Sequence, residues 1–150
     1  MIRMLEEHDI PTVLLKGRAM HEESPVFNPS KYDDKKVEDL LNQSLTDHYN
    51  ICVLLAEEKG QIVGGIIAMA YGEFYGPERT ASDLVLFIDK DKRGGLTAAR
   101  LIKAYESWAK LVDVSVVTLG VSTGINPERT SSLYKKLGYG DVSYSYRKRI

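Results

Sequence analysis

The chain has 150 residues, 43% of them apolar, with 20 Lys and Arg against 21 Asp and Glu for a net charge of −1. That is one domain with a real core, expected to span residues 1–150, and its dispersed, balanced charge argues against nonspecific nucleic-acid binding. No run of about 18 apolar residues offers a membrane span, and early acidic residues interrupt the apolar core a signal peptide needs, so a cytoplasmic location is expected.

Ile2-Arg3-Met4-Leu5 reads as a short first strand, and Asp9 before Ile10-Pro11 marks a helix start with proline in its first turn, running to about Glu23. Two prolines and several polar residues deny a regular element to residues 24–32, a candidate lid. Between Asp33 and Leu45, Val37, Leu40, Leu41 and Leu45 share a helical face and predict a second helix, either simply packed or a substrate gate. Two strands follow over about 49–57 and 62–74, joined by the hairpin Glu58-Lys59-Gly60-Gln61. Gly64 and Gly65 loosen the second of them or admit another backbone. The single Cys52 lies in the apolar run Ile51-Cys52-Val53-Leu54-Leu55 and is expected to be a buried thiol, with no partner for an internal disulfide. His8, His21 and His48 show no metal-ligand spacing, so no metal is expected.

Leu84-Val85-Leu86-Phe87-Ile88 predicts a buried strand, and Ala98, Leu101, Ile102, Tyr105, Trp108, Ala109 and Val112 recur at helical spacing after it. The β-branched stretch 114–121 predicts another strand. Asn126 is the expected cap of a last helix, with Pro127 at its first position and Gly138 closing it, and residues 139–149 alternate enough to predict a final strand. The order β-α-α-β-β-β-α-β-α-β predicts an α+β domain, a mixed sheet flanked by helices.

The segment Asp89-Lys90-Asp91-Lys92-Arg93-Gly94-Gly95-Leu96-Thr97-Ala98-Ala99-Arg100 carries the clearest chemical signal, because it joins the strand to the helix through a basic, glycine-containing turn. A helix N-terminus leaves backbone N–H groups unpaired and partly positive, so it receives phosphate oxygens. Gly94 and Gly95 lack side chains that would hold such a ligand away, while Lys92, Arg93 and Arg100 add full charges. The plain alternative is a solvated surface turn.

This order of elements, the glycine turn after the fourth strand, and Ser131-Ser132-Leu133-Tyr134-Lys135-Lys136-Leu137-Gly138-Tyr139 near the end together resemble the GNAT family of acyl-CoA N-acyltransferases over almost the whole chain. The family's turn pattern is [Q/R]-x-x-G-x-[G/A]; Arg93-Gly94-Gly95-Leu96-Thr97-Ala98 matches its first and last positions, with Leu96 where glycine is usual. Leu133-Tyr134-Lys135-Lys136-Leu137-Gly138-Tyr139 matches the family's L-Y-x-x-x-G-[F/Y] signature throughout. The Arg-Gly-Gly turn and Tyr105-Glu106-Ser107-Trp108-Ala109 also resemble small members encoded by bacterial viruses.

The resemblance implies acetyl-CoA as acyl donor and a primary amine, on a small molecule or peptide, as acceptor. It implies that backbone N–H groups of Gly94, Gly95, Leu96, Thr97, Ala98 and Ala99, helped by Lys92 and Arg93, hold the pyrophosphate. Leu86, Phe87 and Ile88 would bond the pantetheine arm, one of their N–H groups polarising the thioester carbonyl. Tyr134 takes the proton-donor role, with a packing tyrosine as the alternative. Asn126 is either a cofactor contact or only a helix cap. Glu73 is the first choice of general base and Asp83 the second; each is equally readable as a structural strand residue. Tyr71, Phe74 and Tyr75 either wall the acceptor pocket or pack. Family members often dimerise through sheet edges or last strands. The competing function is a catalytically inactive acyl-CoA-binding or protein-interaction module, to which the altered glycine motif lends support.

Overall fold

The computed structural model describes all 150 residues. Strands β1 (Ile2–Met4), β2 (Ile51–Glu58), β3 (Gln61–Gly72), β4 (Arg79–Ile88) and β5 (Val116–Thr118) form one sheet in that spatial order. The first four are mutually antiparallel, and β5 lies parallel to β4. Helices α1 (Ile10–Glu23) and α2 (Asp34–Ser44) precede β2, α3 (Thr97–Leu111) connects β4 to β5, and α4 (Pro127–Lys136) follows β5. Short 3-10 turns occupy Glu7–Asp9 and Lys90–Lys92. No helix is long and apolar enough to cross a membrane.

Strand alternation divides the core into two layers. Cys52, Leu54, Val63, Ala68, Ala70 and Ala81 face α3, which presents Leu101, Tyr105, Trp108 and Ala109. The small sheet residues let the helix approach closely, and each fully buried leucine contributes about 1.5–3 kcal/mol. On the opposite face Ile51, Val53, Leu55, Ile67 and Val85 meet Val13 of α1 and Leu41 of α2. Gly64 belongs to the crowded centre: a Cβ there would stand 2.8 Å from the Phe87 carbonyl oxygen, so the backbone approach requires glycine. Cys52 is buried and free, and burial lifts its thiol to about 12.

Three expectations are corrected. The final strand over 139–149 does not form: Val142, Tyr144 and Tyr146 alternate, but no neighbouring strand receives them and all are exposed. Instead Arg147 and Arg149 donate to the Val26 and Pro29 carbonyls of the 24–32 loop. The strand expected over 114–121 is only three residues long, because pairing with β4 stops at Ser82 and Thr118. Asn126 precedes α4 as expected but makes no side-chain cap bond and sits in the left-handed region at φ +46°, whereas Asp9 opens α1 as expected, its carboxylate accepting from Arg3 at 2.7 and 2.9 Å.

Candidate active site

The site grows from the place where β4 and β5 part. Ile67 pairs with Val85 and Ala68 with Asp83, so Leu84 is an extra, bulged residue in β4. A bulge bends its strand and sharpens the twist. β5 pairs with the first part of β4 only, Thr80 with Val116 through Ser82 with Thr118, and past that rung the two backbones diverge. Two bonds cross the fork: the Gly120 N–H donates to Asp83 Oδ1 at 2.7 Å, and Ser122 Oγ donates to the Leu84 carbonyl at 3.4 Å.

The fork opens into a cavity of about 640 Å³. Leu86, Phe87 and Ile88 form one wall and residues 120–123 the other; Leu15, Lys16, Met20 and Glu23 of α1 close one side, and Arg129, Leu133 and Tyr134 of α4 another. Along β4, the Asp89 N–H turns to the Val63 carbonyl of β3, while the Leu84 and Ile88 carbonyls are reached from the opposite side by Ser122 and by Arg93 Nε. Backbone groups alternate in direction along a strand, so the Leu86 N–H and C=O point toward the fork and have no paired strand there.

At the far end the turn leads into α3, whose first intrahelical bond runs from Arg100 N–H to the Leu96 carbonyl. The N–H groups of Thr97, Ala98 and Ala99 therefore have no intrahelical acceptor, and no acidic side chain occupies the first turn. Thr97 and Ala98 line the cavity with Lys92, Arg93, Gly94, Gly95 and Asn126. Gly94 makes the turn at φ +98°, and a Cβ there would lie 2.6 Å from Arg129 Nη2. Leu96 is 67% exposed and, like the Ala99 side chain, does not line the cavity; the side chain at the departure from the glycine pattern points away from it.

Arg93 differs from its sequence reading as a free cation. Its guanidinium clasps Glu23 at 2.6 and 2.7 Å, holding that carboxyl below the usual carboxylate range. Lys16 meets Asp89 at 2.6 Å, so α1 is tied twice to the turn. Arg129 lines the cavity without any carboxylate partner, and sequence reasoning missed it. Its position on the first turns of α4 was legible, but its approach to Gly94 depends on how two distant helices pack.

Tyr134 is 6% exposed, and its hydroxyl donates to the Gly120 carbonyl at 3.1 Å. Gly120 thus bonds Asp83 through its N–H and Tyr134 through its C=O. Burial, then the charge of Asp83, pushes the Tyr134 phenol above its ordinary pKa. Burial pushes Asp83 up to about 6 against the opposing effect of its Gly120 hydrogen bond, and its buried Oδ2 has no hydrogen-bond partner in the protein. Glu73 lies apart from this group: it accepts from Thr80 Oγ1 at the turn of the β3–β4 hairpin and does not line the cavity.

A mixed sheet forked beside an open helix N-terminus, with an aspartate and a tyrosine both bonded to Gly120 at the fork, defines an acyl-CoA N-acyltransferase architecture. The chain belongs to the acetyltransferase (GNAT) family, whose model matches residues 17–139. A search of curated proteins found no match. Among solved structures, a ribosomal-protein-alanine N-acetyltransferase from Brucella melitensis biovar Abortus 2308 is 22% identical, with a TM-score of 0.76 over 100% of this chain and 99% of that one. An aminoglycoside acetyltransferase from an uncultured soil metagenomic sample is 20% identical, with a TM-score of 0.76 over 100% and 97%. A Trypanosoma brucei acetyltransferase is 18% identical, with a TM-score of 0.73 over 100% and 99%. At these identities the likeness establishes the shared fold.

Proposed function

We propose that the protein is an acetyl-CoA-dependent N-acetyltransferase that transfers to a primary amine by direct attack on the thioester. The fork carries this reading: a cavity lined by Thr97 and Ala98 at the open α3 N-terminus and by Gly120 and Tyr134 at the fork, with Asp83 bonded to Gly120 behind that wall. The residues fit an elongated thioester ending in phosphates. The N–H groups of Thr97, Ala98 and Ala99 and the Arg129 guanidinium hold the pyrophosphate, and the free Leu86 carbonyl of β4 accepts from a pantetheine amide. When bound, the cofactor supplies an acetyl group already activated as a thioester.

The chain's own residues do the rest. The Leu86 N–H is the fixed dipole that stabilises negative charge developing on the carbonyl oxygen. Tyr134 keeps its proton across the physiological range, because burial and the neighbouring carboxylate both oppose its loss, and it supplies that proton to the departing sulfur. Its hydroxyl needs only to turn from the Gly120 carbonyl. Asp83, titrating at about 6, is charged at neutral pH and holds Gly120, and through it Tyr134, at the fork. Glu73 lies outside the cavity, at the turn of the β3–β4 hairpin, so the ammonium proton leaves to solvent, which also returns a proton to Tyr134.

Acceptor-dependent release of free CoA, followed with a thiol reagent over peptides, polyamines, aminoglycosides and simple amines, tests the proposal. Tyr134→Phe is expected to bind acetyl-CoA as the wild type does and to lower turnover about 10²–10⁴-fold. Tight binding with no acceptor-stimulated release, and no effect of Tyr134→Phe, would instead favour a binding module.

A further inference from the structure

Building on that proposed function, we infer that the acceptor is a monoamine whose amino group is carried on an apolar or aromatic body, and that it lies on the uncovered corner of the sheet at Tyr71, Ser82 and Thr118. Helices α1 and α2 cover this face of β2 and part of β3 and β4, as the packed positions Ile51, Ile67 and Val85 show. They leave the corner where β3, β4 and β5 meet. Ala68, Ala70, Ala81 and Val117 face α3, so their alternates Met69, Tyr71, Ser82, Val116 and Thr118 face the other way.

Met69, Tyr71 and Val116 are all at least 36% exposed, an apolar and aromatic cluster unlike an ordinary solvated face. At its centre Tyr71 Oη and Ser82 Oγ are 3.1 Å apart, and Ser82 Oγ and Thr118 Oγ1 are 2.7 Å apart. This hydroxyl row ends on the last rung before the fork. Gly120 is two residues beyond Thr118, about 7 Å of extended chain, so an amine on the row stands beside the thioester end of the cavity. Gly120 itself lines the cavity, so the row and the proposed catalytic site meet along this one strand.

Charge chooses the occupant. A polyamine or aminoglycoside brings several ammonium groups, each of which needs an anionic or strongly polar partner when desolvated. The one carboxylate bonded to this face is Glu73, held by Thr80, so the face offers a single anionic partner where a polycation needs several. The hydroxyl row suits a single amino group, which it can meet with oxygen lone pairs, while Tyr71, Met69 and Val116 suit an apolar remainder.

The test compares kcat/KM for 2-phenylethylamine, spermidine and kanamycin with acetyl-CoA at fixed saturation, in wild type, Tyr71→Ala and Val116→Asp. The expected result is at least a tenfold preference for 2-phenylethylamine. Tyr71→Ala should raise its KM about tenfold while leaving the KM for acetyl-CoA in place, and Val116→Asp should move the preference toward spermidine. Both positions are exposed; circular dichroism reports whether each variant is folded, and the acetyl-CoA KM whether its cofactor site is intact. A wild-type preference for spermidine or kanamycin would overturn the acceptor inference and leave the acetyltransferase proposal standing. Equal effects of Tyr71→Ala on all three amines would do the same. Release stimulated by no amine would remove both.

Discussion

Asp83 carries a cost that its surroundings do not repay. In the fold it titrates at about 6 against an ordinary 3.8, because burial outweighs the hydrogen bond from Gly120. A carboxyl with a raised pKa binds its proton more tightly folded than unfolded. Its contribution to stability is therefore full below about pH 4 and declines as pH rises through 6, by about 3 kcal/mol in all. Asp83→Asn keeps an acceptor for the Gly120 N–H and removes the titration. Denaturant unfolding from pH 4 to pH 7.5 should find the variant progressively more stable than the wild type as pH rises, the difference shrinking toward zero at pH 4. A difference that does not change with pH would mean that no buried charge is carried at the fork. Turnover should fall in the same variant, since retaining an expensive charge beside Tyr134 makes sense if it serves the reaction.

At the scale of elements, α1 and the β4–α3 turn act as one unit, joined by the Lys16–Asp89 and Arg93–Glu23 ion pairs. Glu23 lines the cavity near the expected phosphates, so its charge both anchors Arg93 and repels the ligand. Glu23→Gln removes the repulsion and leaves an amide oxygen for Arg93. Calorimetry should then give an acetyl-CoA Kd about fivefold lower, about 1 kcal/mol. A higher Kd would show that Glu23 serves mainly to order the turn. Most elements were legible in the sequence because each carries a local period: the apolar stripe of α3, the β-branched strands, the proline at the head of α4. The fork was not, since residues 114–121 look uniformly strand-like and only the loss of a partner at Thr118 ends β5. The final strand failed for the same reason, alternation being necessary for a strand and a neighbour equally so. Within the site, the turn and Tyr134 could be read from motifs. The shift of parity at Leu84, which leaves Asp83 on the α3 face, and the clasp between Arg93 and Glu23, 70 residues apart, depend on tertiary packing.

For the whole molecule, a two-layer core grips the paired parts of the sheet and leaves its unpaired part, the fork, as a long cavity between α1, α3 and α4. Ligand bound there touches both layers and the turn that joins them, so binding and global stability are linked. At about one hundred times its Kd, a ligand specific to the folded state adds about 2.7 kcal/mol, which for a domain of this size raises Tm by about 5–11 °C. The most direct measurement is thermal unfolding of cofactor-free protein with increasing acetyl-CoA, paired with calorimetric titration. The account predicts a saturable rise in Tm of that size, matched by one binding site per chain. An unchanged melting curve at millimolar acetyl-CoA, with no heat of binding, would contradict it.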